Sequence, residues 1–156
     1  MPPNKNDRMR GLLEAAVALH RAGKLDEAAT KYREVLGLDK NQPDAMSLLG
    51  QIVFQHGDPK EALNLMTRAQ ALRTDSPTIA FNLGRLHFEM RDWAKAAAIN
   101  ETAARLAPNN AAPLCNLGIA QIHLGRAAEG EATLRKALAL APENAMSWSG
   151  LGLALA

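Results

Sequence analysis

The 156 residues balance 18 Lys and Arg against 16 Asp and Glu, a net charge of +2, and 47% of them are apolar. That is apolar enough for a continuous core, and the interspersed signs exclude the one-signed patch of a nucleic-acid surface. A single cysteine, Cys115, excludes an internal disulfide and suits a reducing compartment. No apolar run approaches a membrane span, and no apolar stretch follows the basic residues of the opening MPPNKNDRMRG, so the reading is a soluble, cytoplasmic chain with no signal peptide.

Residues 1–8 are polar and are read as a flexible lead. The first helix is predicted from about Met9 to Ala22, burying Leu12, Ala15, Ala16 and Leu19 at the i, i+3, i+4, i+7 spacing of an amphipathic helix. Gly23 ends it in left-handed geometry. A second helix opens near Leu25 and buries Ala28, Tyr32, Val35 and Leu36. Pro43 marks the first turn of the third helix, where a missing N–H costs nothing. Gly57, Asp58 and Pro59 stop that helix and start the next, with Asp58 as N-cap and Glu61 placed for a capping box. Ser76 and Pro77 repeat the start signal. Arg91 then stands where the other turns have glycine, at an expected cost of roughly 1–2 kcal/mol in left-handed geometry. Gly125 restores the turn glycine, and Gly130 falls inside a helix where the other copies have alanine. After Asn144 a ninth helix begins with AMSWSGLGLALA, and no second helix follows it within the sequence.

The punctuation repeats. Pro43, Pro77, Ala111 and Ala145 stand 34 residues apart, as do Leu49-Gly50, Leu83-Gly84, Leu117-Gly118 and Leu151-Gly152. Ala28, Ala62 and Ala96 share one register, and Pro108 recurs as Pro142. A fixed period of this length marks a repeat array, and the residues resemble the tetratricopeptide signature W-x2-L-G-x2-Y, A-x3-F, P. The resemblance covers 9–156 as repeats 9–42, 43–76, 77–110, 111–144 and a half repeat 145–156. It implies an all-α fold of about nine helices, antiparallel pairs stacked into a right-handed α-solenoid, the TPR superhelix. The first copy departs from it, with Ala15-Ala16 for Leu-Gly, as terminal repeats often do.

No constellation for catalysis appears. His20, His56, His87 and His123 fall at different repeat positions, and no HExxH, CxxC, GxSxG or phosphate-cradling loop is present. No cofactor and no metal are expected, and Cys115 is read as a packing residue. His87 and Asn100 occupy the positions where the signature has Tyr and Phe, and are expected to lie close across one helix pair and satisfy each other, directly or through a water.

What the resemblance implies for function is a groove lined by the first helix of each copy. Copy two should expose Asp44, Ser47 and Gln51. Copy three should expose Thr78, Phe81, Asn82, Arg85, Phe88 and Glu89. Copy four should expose Cys115, Asn116, Ile119, Ile122 and His123. Asn82 and Asn116 resemble two rungs of the asparagine ladder in O-GlcNAc transferase repeats, where amides clamp a peptide backbone. The Lys and Asn of the heat-shock carboxylate clamp are absent, since Ser47 with Gln51 and Phe81 with Arg85 hold those positions. The expected function is a non-enzymatic module binding a partner peptide or helix. The alternatives are the substrate-recruiting arm of a larger glycosyltransferase- or sulfotransferase-type enzyme, and a self-assembling scaffold. The last rests on the apolar edge Trp148, Leu151, Leu153 and Leu155, which predicts self-association.

Overall fold

A computed structural model describes residues 4–156. Among them are nine α-helices: α1 (Lys5–Arg21), α2 (Leu25–Leu38), α3 (Pro43–Gln55), α4 (Pro59–Leu72), α5 (Pro77–Glu89), α6 (Trp93–Leu106), α7 (Ala111–His123), α8 (Ala127–Leu140) and α9 (Ala145–Leu155). They form two compact units that divide after Thr74.

In the first unit α1 pairs with α2 and α3 with α4. The helix α1 starts at Lys5 rather than Met9, so only the first three residues of the expected flexible lead lie outside the described residues. The early start has a local cause. The Asn4 side chain accepts the Asp7 N–H at 2.9 Å, and Asp7 places a carboxylate at the positive end of the helix. Ala16 is buried as expected, but Ala15 is exposed and Leu12 and Leu19 are only half-buried, because one face of α1 has no neighbour. Tyr32 is the anchor of the first pair. It is fully buried, its hydroxyl lies 3.3 Å from His20 Nδ1, and burial pushes its pKa up to about 12. Asp58 caps α4 by accepting the Glu61 N–H at 2.9 Å. The second half of the expected capping box is replaced: the Asp58 N–H donates to Val53 O at 3.1 Å.

The second unit holds α5 to α9. Two of its glycines at the Leu-Gly position, Gly84 and Gly118, let a second helix come within backbone reach. A Cβ built on Gly84 would lie 2.7 Å from Asn100 Nδ2, and one on Gly118 2.7 Å from Leu134 Cγ. Gly130 sharpens the same contact from the other side, since its Cβ would lie 2.6 Å from Gly118 O. A main core of Cys115, Ile119, Leu134, Ala137, Leu138 and Leu151 fills the space between α7, α8 and α9. Arg91 adopts φ 59°, so the turn between α5 and α6 does carry the left-handed strain read from sequence.

The His87–Asn100 pairing does not form as a direct hydrogen bond. Asn100 donates from Nδ2 to Ala96 O at 2.8 Å, one turn back on its own helix. His87 instead places Nδ1 3.4 Å from Asp92 Oδ2, at the N-cap of α6. Each side chain thus makes a contact local in sequence, while Asn100 Oδ1 and His87 Nδ1 are left without a hydrogen bond among the described residues.

Burial holds the His87 pKa below the usual histidine range, with Asp92 pulling it upward and Lys95 downward. Above the ordinary histidine pKa of about 6.5 the folded and unfolded chains are both neutral at this position. As pH falls through that value the unfolded chain takes up a proton that the folded chain resists, so stability declines. The wild type should therefore lose more stability between pH 7.5 and pH 5.5 than His87→Gln, measured by urea unfolding. Equal losses would remove His87 from the pH dependence.

Candidate functional site

The inner face of the second unit is built from α5, α7 and α9, whose first-helix positions recur every 34 residues. Because α7 contacts α5 on one side and α9 on the other, residues that the repeat register aims inward are partly covered by the adjacent first helix. Asn82 is 7% exposed and Asn116 4%. Both are buried where the sequence reading expected them exposed. Ile119 and Cys115 go further and join the main core. Ile119 Cγ1 would lie 2.9 Å from a Cβ on Gly150, and Cys115 Sγ lies 3.9 Å from Asn144 Oδ1. Burial raises the Cys115 thiol pKa, as expected of a packing residue rather than a nucleophile.

His123 is exposed, and the half-buried Phe88 lies against the core of α7, α8 and α9. Both pack on Trp93, the first residue of α6: His123 stacks on the indole at 4.1 Å and 7°, and Phe88 meets it edge-on at 5.3 Å. On α5 the expected Thr78 and Glu89 are exposed, and Phe81 and Arg85 are half-buried, with Arg85 Nε 3.5 Å from Glu89 Oε1. Met146 was not singled out in the sequence, and Leu153 only as part of the apolar edge. Met146 and Leu153 stand 34 residues after Ala112 and Ile119, so the register that placed the others also places them. They are exposed, at 43% and 56%. Leu151, expected on the same edge, is buried in the core between α7 and α8.

In the first unit, the expected Ser47 is buried, while Gln51 and Asp44 are half-buried. Both carboxylate oxygens of Asp44 accept from Arg73 Nη1, at 2.9 and 3.2 Å, which fixes that residue as a tie between α3 and the end of α4. An open depression of about 350 Å³ runs along α1, lined by Leu13, Glu14, Val17, Ala18 and Arg21.

Among the described residues no three of His, Cys, Asp and Glu converge so as to hold a metal ion, and no helix is long and apolar enough to cross a membrane. Paired helices stacked by a recurring glycine contact, with one lined inner face, define a helical-repeat interaction protein. Models of the tetratricopeptide repeat match residues 53–113 and 87–152, and a TPR repeat model matches 16–57; the chain belongs to the tetratricopeptide repeat family. Among solved structures it is similar to MamA (MSR-1), at TM-score 0.82 and 22% identity over 94% of this chain and 84% of that one. It is similar to pilF of Pseudomonas aeruginosa at TM-score 0.86 and 18% identity, over 97% of this chain and 69% of that one. YrrB, a TPR protein with an unusual peptide-binding site, aligns at TM-score 0.79 and 18% identity over 92% and 74%. At such identities the likeness concerns the fold. No curated protein sequence matches the chain.

Proposed function

We propose that the unit from Asp75 to Ala156 holds an extended partner peptide across α5, α7 and α9 and does no chemistry on it. The observation that carries this reading is the register itself. Asn82 and Asn116 occupy the same position on adjacent first helices, with Arg85 beside one and Met146 and Leu153 beyond the other. An amide offers a donor and an acceptor together, which is what a peptide backbone requires, and this is the arrangement that the asparagine-ladder resemblance implies. The low exposure of the two amides means that they act at the floor of the face, not at its rim. Arg85 then meets an acidic side chain, exchanging its exposed Glu89 pair for the ligand's carboxylate, and Met146 with Leu153 receives an apolar one. The peptide-binding description of YrrB supports the reading by fold alone.

The test is calorimetric titration with extended peptides carrying one acidic and one apolar residue a few positions apart. Asn82→Ala combined with Asn116→Ala should weaken binding by roughly 1–3 kcal/mol, since each hydrogen bond is worth about 0.5–1.5 net. Arg85→Glu should reverse the preference for an acidic residue, at a modest cost in melting temperature because it sets two carboxylates one turn apart on α5. A peptide bound equally by all three proteins would place the site elsewhere.

A further inference from the structure

The turn between α5 and α6 differs from its counterparts in two ways. The first is Arg91, which stands at φ 59° in the register that Gly23, Gly57 and Gly125 hold in the other turns. A side chain is strained in that geometry and glycine is not. Strain of this kind persists where the residue serves something besides the fold. Within the fold Arg91 does little. It is exposed, and among the described residues no carboxylate pairs with its guanidinium. The charges around it are matched, Arg85 with Glu89, Lys95 with Asp92 and Arg126 with Glu129. Arg91 is left as an uncompensated cation.

The second difference is the aromatic cluster that begins two residues later. Trp93 and Phe88 rest on the core between α6 and α7, which fixes their rings in place. Phe88 meets the indole at 77° while His123 lies flat against it, so the rings form a step rather than a sheet. Met90 and Leu124, beside them in sequence, are 38% and 39% exposed. The Trp93 indole N–H has no acceptor among the described residues, whereas that of Trp148 is held by Pro142 O at 2.8 Å.

Anchored rings, a free indole N–H and an unmatched cation each ask for something different, and one class of ligand supplies all three. The rings suit stiff apolar groups. The N–H needs a carbonyl that the ligand does not use itself, and the guanidinium needs a carboxylate. An α-helix spends its carbonyls within its own backbone. A polyproline II segment has no internal hydrogen bonds, so its carbonyls are free, and its proline rings pack on aromatic side chains without a large loss of entropy. We propose that the α5–α6 turn binds an acidic, proline-rich segment of a partner protein. Prolines lie on Trp93 and Phe88, a ligand carbonyl accepts from Trp93 Nε1, and a ligand carboxylate pairs with Arg91. None of Asn82, Asn116, Met146 and Leu153 takes part, so this site stands apart from the amide-floored face and does not depend on it.

The probe is a blocked peptide of repeated glutamate-proline-proline triplets, titrated into nitrogen-15-labelled protein. The chain has two tryptophans, so one indole resonance controls for the other. The Trp93 resonance should move with added peptide, and the Trp148 resonance should stay. Arg91→Gly should hold or raise the melting temperature, because glycine takes the positive φ without strain, yet weaken the peptide about threefold to tenfold. Arg91→Lys keeps the charge and should keep most of the affinity. Trp93→Phe leaves a ring on the core and removes only the donor, which should weaken binding about fivefold. Replacing the peptide's glutamates by glutamine should cost the wild type as much as Arg91→Gly does. Arg91→Gly binding the peptide as tightly as wild type would mean that the arginine has no part in recognition. A peptide with serine for proline that binds equally well would reduce the contact to ionic adhesion. Either result overturns the proposal, as does a titration that leaves the Trp93 indole unmoved.

Discussion

Leu134→Ala is expected to cost about 2–5 kcal/mol of folding stability. Leu134 has no exposed surface, and its methyl groups lie against the Cα positions of two glycines on two different helices, Gly118 of α7 and Gly150 of α9. Those contacts are backbone to side chain, and neither glycine has a side chain that can swing in to refill the space. The truncation therefore leaves a cavity that the structure cannot collapse, which puts the cost toward the upper part of that range. Leu12→Ala, in the half-buried first helix, should cost clearly less. Urea unfolding of the two variants measures both, and equal losses would show that Leu134 does not carry the contact between α7, α8 and α9.

The punctuation of this fold was legible in the sequence because it acts through the residue's own backbone. Gly23, Gly57 and Gly125 take positive φ, Ser76 and Asp58 cap their helices, and Pro43, Pro59 and Pro77 sit in first turns, all as read. The depth of the expected groove residues was not legible. A period of 34 picks out Asn82, Asn116 and Ser47 by position, but how far each is covered depends on its neighbours in space, which no local pattern encodes. The aromatic contacts of Phe88 and His123 were hidden for a different reason. The residue that captures them, Trp93, corresponds to Pro59 and Ala127 in the flanking copies, so the aromatic cluster belongs to one repeat and is invisible to the period.

Asn100→Leu is expected to stabilise the protein by about 1–3 kcal/mol. Asn100 is fully buried opposite Gly84, and while its Nδ2 bonds to Ala96 O, its Oδ1 has no partner. A buried acceptor left unsatisfied costs roughly 1–3 kcal/mol, and replacing it by an apolar group of suitable shape recovers that cost. The shape is already tested within the chain. The equivalent positions carry Met66 opposite Gly50 and Leu134 opposite Gly118, so the same glycine-floored cradle accepts side chains of leucine's size twice elsewhere. The Asn100 amide already comes within 2.7 Å of a Cβ position on Gly84, so leucine, branched at Cγ in the same way, enters without new crowding. His87 lies on the opposite helix of the same pair and keeps its own contact with Asp92, so its pH dependence should persist in the variant. Thermal and urea unfolding of Asn100→Leu against wild type decides the matter. A loss of stability would mean that the amide's bond to Ala96 O, or a partner recruited by Oδ1, outweighs burial of the larger apolar side chain.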